Sequence, residues 1–144
     1  RTPPQTTETL LSTIDVCRFS GATYRMLDYY ARIGVLVPTV DARGPGTQRG
    51  YTAHEARVAW AIGVAQGVTA SRRTTGGSSV LRAVASVLRH LPADAWSGML
   101  VVGSGSPLIV EHALALLDAL AEVGPAAVVI DLDACPDPNT WRPS

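Results

Sequence analysis

The sequence has little of what several classes of protein require. It has two cysteines, Cys17 and Cys135, and no lysine among its 144 residues. Two cysteines cannot build a disulfide framework or, by themselves, a zinc site. No uninterrupted apolar run reaches the roughly 18 residues that a membrane-spanning helix needs. The Thr- and Pro-rich residues 1–9 lack the apolar region of a signal peptide. We therefore expect a cytoplasmic protein with no membrane partner.

The residues that are present favour a folded chain. It is 47% hydrophobic, which is too apolar for wholesale disorder. Its length allows one ordinary domain or two small ones.

Charge is divided unevenly between the two halves. All 12 basic residues are arginine, and the net charge is zero. Residues 1–76 hold nine arginines and five acids, a balance of +4, whereas residues 77–144 hold three arginines and seven acids, a balance of −4. A basic half joined to an acidic half indicates two different roles. Chance segregation of surface charge is the alternative.

Local signals in the first half predict a helix-turn-helix. Thr13 is placed to cap a first short helix, and Gly21 permits the positive φ of a tight turn. Thr23 then caps a second helix over residues 24 to about 33, which Gly34 ends. Two short helices around a glycine-containing turn are typical of this motif.

A β-hairpin and a third helix are predicted next. Residues 35–41 favour an extended chain, 43–46 form a Gly/Pro turn and 47–51 return as a second strand. Thr52 caps the third helix, with Glu55 completing a capping box.

The second half predicts a small α/β unit beyond a polar, Gly-rich boundary at residues 69–79. A helix over 80–91 and a strand over 99–102 come first. Residues 108–110 are either a hairpin partner or the start of the next helix, which covers 112–122. The strand 127–132, apolar except for Asp131, is consistent with a buried position in the sheet.

The pattern favours no catalytic or metal site. The loop 103–106 lacks the lysine of a P-loop. Asp131 and Asp133 end a strand, where α/β folds often place functional acids, but no histidine accompanies them. Cys17 lies on the apolar face of the first helix, which favours core packing. Three histidines are scattered singly without metal-ligand spacing: His54, His90 and His112. We expect no enzyme and no cofactor.

A cationic surface is the stronger signal. The cap at Thr23 presents Tyr24 and Arg25 on the first helical turn, where unpaired N–H groups favour a phosphate. Arginine can also bridge guanine O6 and N7. The hairpin adds Arg43, Gln48 and Arg49, and further backbone contacts are expected from Arg18 and Tyr29. The alternative is a solvated helix face with Arg25–Asp28 and Asp28–Arg32 ion pairs.

Four short stretches carry a resemblance to a known family. They are Gly21-Ala22-Thr23, Leu27-Asp28-Tyr29-Tyr30, Gly34-Val35-Leu36-Val37-Pro38 and Arg49-Gly50-Tyr51-Thr52. In this order and spacing, the segment from Thr13 to about Val68 resembles the DNA-binding domain of MerR-type winged helix-turn-helix regulators, and an actinobacterial subgroup of them in particular. Asp28 stands where the family usually has arginine, so Arg25 would take over that phosphate contact.

The resemblance implies a fold class and an organisation. The resemblance implies an N-terminal winged helix-turn-helix domain, and with the α/β pattern of the second half it predicts an α+β protein in which a small C-terminal α/β domain follows. The expected divisions are a flexible tail at 1–10, the DNA-binding domain at 11–68, a linker at 69–79, the α/β domain at 80–134 and a tail at 135–144.

The resemblance also implies a dimeric, sequence-specific transcriptional regulator on double-stranded DNA in the cytoplasm, associated with the nucleoid. Helix two would read the major groove and the wing would contact the backbone. Because Gly76-Gly77 interrupts the family's long dimerisation helix, the C-terminal unit is expected to dimerise or bind a protein partner. Five leucine and valine residues would pack on its sheet: Leu81, Val84, Leu88, Leu114 and Leu117.

Two alternatives stay open at this point. One is an architectural DNA-bending factor similar to a phage excisionase. The other is a partner- or effector-binding module centred on the C-terminal half, with residues 129–133 as its site.

Overall fold

The computed structural model describes residues 10–40, 49–69, 77–103, 107–111, 113–123 and 127–140. The helices are α1 (Thr13–Ser20), α2 (Tyr24–Arg32), α3 (Ala53–Thr69), α4 (Gly77–His90) and α5 (Ala113–Val123). The strands are β1 (Leu11–Ser12), β2 (Gly50–Tyr51), β3 (Met99–Val102), β4 (Leu108–Val110) and β5 (Val128–Asp131). Short 3₁₀ turns cover Ala93–Ala95 and Leu132–Ala134. The described chain is of mixed helix and strand, as the expected α+β class requires.

The N-cap of the first helix lies one residue earlier than predicted. Ser12, not Thr13, is the N-cap: its hydroxyl accepts from the Asp15 N–H at 3.2 Å, and the Asp15 carboxylate accepts from the Ser12 N–H at 3.4 Å. Thr13 is the first helical residue and is buried. The cap moves because Asp15 lies three residues after Ser12, the spacing of a capping box. Gly21 ends the helix at φ +78°, as predicted.

The second helix agrees with its predicted boundaries. The Thr23 hydroxyl accepts from the Met26 N–H at 3.1 Å, which confirms the predicted cap. Gly34, at φ +82°, follows the end of the helix. Leu27 and Tyr30 are buried against α1 and α3, so the opposite face of α2 points away from the core.

The base of the predicted hairpin is present. Val40 and Gly50 exchange backbone hydrogen bonds of 2.8 and 3.2 Å. Strand β2, which begins at Gly50, also pairs with β1. Ser12 lies opposite Gly50 and Leu11 lies opposite Tyr51. Strand β1 is not predicted from the sequence, because two residues are too few to show the alternation of apolar and polar side chains that indicates a strand. The hairpin tip, with Arg43 and Gln48, lies outside the described residues.

Helix α3 has half of its expected capping box. The Thr52 hydroxyl accepts from the Glu55 N–H at 3.1 Å. The Glu55 carboxylate does not return to Thr52; it accepts from the Val37 N–H at 2.9 Å and from Arg89 at 2.7 and 2.9 Å. Glu55 is 5% exposed, and a buried carboxylate requires charged or multiple donors.

The C-terminal half contains a three-stranded antiparallel sheet of order β4-β3-β5. Leu100 pairs with Ile109 of β4 and Ile130 of β5, so residues 108–110 are the hairpin partner and not a helix start. The prediction of a buried position for the last strand is wrong for half of its residues. Among the described strands β5 pairs with β3 alone, and Val129 is 41% exposed while Ile130 is buried.

One buried cluster runs through both halves of the chain. It joins Val16 of α1 and Ile62 of α3 to Leu88 of α4, Leu100 of β3 and Ile130 of β5. A smaller cluster between α5 and the other face of the sheet comprises Val101, Val110 and Ala119. The boundary at 69–79 remains a prediction, but the helices on either side of it, α3 and α4, pack against each other.

Of the residues expected to pack on the sheet, Val84 and Leu88 are buried and Leu81 is partly buried against the same cluster. The side chains of Leu114 and Leu117 lie outside those described.

Within the described ranges, no helix combines the length and the apolarity that a membrane crossing requires.

Candidate nucleic-acid interface

The exposed face of α2 carries the predicted aromatic and basic residues. Tyr24 is 58% exposed and Tyr29 is 47% exposed, and Thr23 and Arg25 are exposed as well. The helix begins at Tyr24, so its first-turn N–H groups and the positive end of its dipole lie beside Arg25. This combination of donors suits an anionic partner.

A second arginine lies on the neighbouring helix. Arg18 is exposed in the last turn of α1, which packs against α2 and is joined to it by residues 21–23. Within the part of the chain that the structure describes, neither Arg18 nor Arg25 has an ion-pair or hydrogen-bond partner. Both guanidinium groups therefore keep their donors for an external ligand.

Asp28 is the acid on this face of α2. Its carboxylate forms an ion pair with Arg32, whose Nε lies 3.1 Å away, and accepts a hydrogen bond from Arg49 Nη1 at 2.6 Å. The hydrogen bond from Arg49, with the positive charges of Arg32 and Arg49, holds the pKa of Asp28 below its ordinary value. The predicted Asp28–Arg32 pair is confirmed, while the second partner of Asp28 is Arg49 and not Arg25.

Arg49 is thereby attached to α2. Its side chain is only 15% exposed, and it precedes β2 at the base of the hairpin. The ion pair with Asp28 joins residues 21 apart in sequence and fixes the base of the hairpin beside the exposed face of α2. Most of the Arg49 guanidinium thus faces the protein.

The predicted site residues fall into three groups. Four belong to α2 or its N-cap, namely Thr23, Tyr24, Arg25 and Tyr29, while Arg18 lies on α1 and Arg49 lies at the hairpin base. The remaining two, Arg43 and Gln48, lie outside the described residues. The contact between Asp28 and Arg49 was missed, because nothing in the local pattern links a helix position to a residue in the following hairpin.

The residues weighed for catalysis have structural contacts. His54 Nε2 lies 3.1 Å from the carbonyl oxygens of Leu88 and Arg89 at the end of α4. The Asp131 carboxylate accepts from the Asp133 N–H at 3.0 Å, and the Asp133 carboxylate accepts from the Gly98 N–H at 3.2 Å. These acids fix the chain after β5.

The two cysteines are also held in apolar surroundings. Burial raises the pKa of the Cys17 thiol, and it raises the pKa of Cys135 to about 12. A thiol with a raised pKa is a poor nucleophile at neutral pH. Among the described residues, no three histidine, cysteine or acidic side chains are grouped as a metal site would require.

Comparison with known proteins gives one segmental similarity. No protein-family model matches the chain. A stretch of 37 residues is 49% identical to a protein of Mycobacterium bovis and to proteins of two Mycobacterium tuberculosis strains, each named an uncharacterized HTH-type transcriptional regulator. The match covers 25% of this chain and spans 16% of the length of each mycobacterial protein. The chain is therefore similar to a part of these regulators.

Proposed function

We propose that the chain is a sequence-specific regulator of transcription that binds double-stranded DNA through a MerR-type winged helix-turn-helix. The observation that carries this proposal is the start of α2, where a Thr23-capped helix presents exposed Tyr24 and an Arg25 without a partner among the described residues, on a helix that packs against α1 with its exposed Arg18. The partial similarity to helix-turn-helix regulators supports it.

In this proposal α2 enters the major groove. Arg25 donates two parallel hydrogen bonds to guanine O6 and N7 or to a phosphate. Tyr24 offers its hydroxyl and its ring at the groove edge. Arg18, Thr23 and Tyr29 contact phosphates on either side, so they fix the register of the helix without reading sequence.

The hairpin is the proposed wing. Arg49 holds its base against α2 through Asp28, so the direction of the wing is tied to the helix that reads the groove. Arg43 and Gln48 are proposed to contact the DNA backbone or the minor groove. Some bending of the DNA is part of the proposal, because the MerR-type regulators that this segment resembles distort their operators.

The C-terminal unit is proposed to form a homodimer on a palindromic site or to bind a protein partner. A two-fold dimer would place two copies of α2 on half-sites separated by about one helical turn, or a multiple of it. The nucleoid is the proposed location of such a protein.

Selection of bound duplexes from a random pool, followed by affinity measurements across a salt series, tests this function. We expect an enriched motif, and a logarithm of affinity that falls with the logarithm of salt by about 0.9 per phosphate contacted. An unenriched pool, together with an affinity that does not respond to salt, would reject DNA binding.

A further inference from the structure

We propose that Arg82 and Arg89 of α4 are positioning residues, which orient α2 for sequence-selective binding by holding the chain that follows it. The inference rests on the proposed function. Arg82 donates to the Ile33 carbonyl from Nε at 3.1 Å and from Nη2 at 2.9 Å. Arg89 Nη2 donates to the Val35 carbonyl at 2.8 Å.

Both contacts fall at the end of α2. Ile33 is the C-cap residue of this helix, where carbonyl oxygens without helical partners and the negative end of the dipole attract a cation. The Nε and Nη2 groups of Arg82 therefore donate to the Ile33 carbonyl, which has no hydrogen-bond partner within α2. Arg82 lies 49 positions after Ile33 in the sequence.

The second arginine is itself held in place. The Arg89 guanidinium pairs with the Glu55 carboxylate at 2.7 Å, and this carboxylate also accepts from the Val37 N–H at 2.9 Å. Side chains from α3 and α4 thus fix the backbone at three alternate residues: Ile33, Val35 and Val37. Loops with this many backbone contacts have few ways to move.

The two faces of α4 connect this loop to the C-terminal sheet. Arg82 and Arg89 are seven residues apart, so they lie on one face about two helical turns apart. Val84 and Leu88 lie on the opposite face and are buried in the cluster that includes Leu100 of β3. The end of α2 and the sheet are attached to the same helix, so any displacement of α4 is transmitted to α2.

Loss of these contacts should lower the selectivity of DNA binding more than the general affinity for DNA. Misplacing a groove-reading helix weakens base contacts, which require close geometry, more than phosphate attraction, which acts at longer range. Arg82 and Arg89 should therefore affect the ratio of affinities for selected and unrelated duplexes.

The test compares Arg82→Met with Arg82→Lys and with Arg57→Met. Methionine keeps the aliphatic stem of Arg82 and removes its donors, while lysine keeps the charge and a donor. Arg57→Met removes one positive charge from α3, where Arg57 faces Asp137, and so controls for net charge. Arg82 is exposed, so its variants are expected to fold.

Arg82→Met is expected to lower the selected-to-unrelated affinity ratio by about tenfold, with partial recovery in Arg82→Lys and an unchanged ratio in Arg57→Met. In the free protein, hydrogen exchange should become faster at the amides of Ile33, Val35 and Leu36, which bond to carbonyls in the last turns of α2. A merely structural role would lower the thermal midpoint and leave the ratio unchanged.

Two outcomes would overturn the inference, and they differ. If the wild-type chain binds neither duplex, the proposed function fails and the inference fails with it. If the wild-type chain is selective and Arg82→Met keeps the same ratio, the proposed function stands and only the positioning role is rejected.

Discussion

Asp28 is an acid on a helix face that is otherwise basic and aromatic. A carboxylate there would repel DNA phosphates if it were unpaired. Arg49 and Arg32 neutralise it and are held by it. Asp28 therefore supplies a contact between α2 and the base of the hairpin, and we interpret this contact as one that fixes the hairpin base relative to the helix.

Asp28→Asn tests this interpretation. Removing the negative charge should strengthen binding to unrelated DNA, because one repulsive charge is lost. Releasing Arg49 should weaken discrimination between duplexes, because the base of the hairpin loses this attachment to α2. We expect the ratio of affinities for selected and unrelated duplexes to fall about threefold to tenfold, measured by fluorescence anisotropy.

The double variant Asp28→Asn/Arg49→Gln provides the control. If the two residues act through their mutual contact, the double variant should show little further loss of discrimination beyond the single variants. Fully additive losses would mean that Asp28 and Arg49 act separately.

At the scale of elements, the turn between α1 and α2 depends on Gly21. Its φ of +78° lies in the left-handed region, and a Cβ built there would meet no atom within 4 Å. The requirement for glycine is therefore one of backbone conformation and not of space. The turn sets the angle between the two helices that carry Arg18 and Arg25.

Gly21→Ala should destabilise the chain by about 1 kcal/mol, the usual penalty for a left-handed residue with a Cβ. Gly21→Asn should be milder, since asparagine tolerates this conformation. Urea denaturation of the three proteins measures both effects. A loss for Asn equal to or greater than that for Ala would contradict the conformational explanation.

The elements also show how far the sequence alone can lead. The Thr23 cap and the Gly21 turn were predicted because both are signals of a few adjacent residues. The predicted cap of α1 lies one residue too late, because Ser12 and Thr13 can both cap a helix and the capping-box spacing from Ser12 to Asp15 selects Ser12. The position of β5 at the edge of the described sheet could not be predicted, since its run of three apolar residues, 128–130, gives no indication of how many neighbouring strands it has.

The whole molecule is held together by contacts that cross the predicted domain boundary. Glu55 of α3 and Arg89 of α4 form a largely buried ion pair at 2.7 Å, and the Glu55 hydrogen bonds raise the pKa of Arg89. Arg57 and Asp137 form a second pair at 3.4 Å, in which Asp137 is exposed and the Arg57 side chain is 13% exposed, with Asp137 in the segment predicted as a tail. Both pairs link segments far apart in sequence, and no local pattern could have predicted either.

Glu55→Gln is expected to destabilise the chain by about 3 kcal/mol, because it leaves a guanidinium partly buried without its counter-charge. Asp137→Asn is the comparison: its side chain is 51% exposed and its carboxylate lies 3.4 Å from Arg57, whereas that of Glu55 is buried and accepts at 2.7 and 2.9 Å from Arg89, so the loss of Asp137 should cost less, about 1 kcal/mol. Chemical denaturation measures both values. Equal losses in the two variants would contradict the view that Glu55 and Arg89 secure α3 to α4.

The central claim is that the start of α2 reads DNA, and Arg25 tests it most directly. On the selected duplex, Arg25→Ala should lose about 1–3 kcal/mol of binding free energy and relax selectivity at one base pair. Arg25→Lys should keep more of the general affinity but not the selectivity, and Arg57→Ala should stay close to wild type. If Arg25→Ala binds every single-base variant of the site as the wild-type chain does, α2 does not read DNA and the account is wrong.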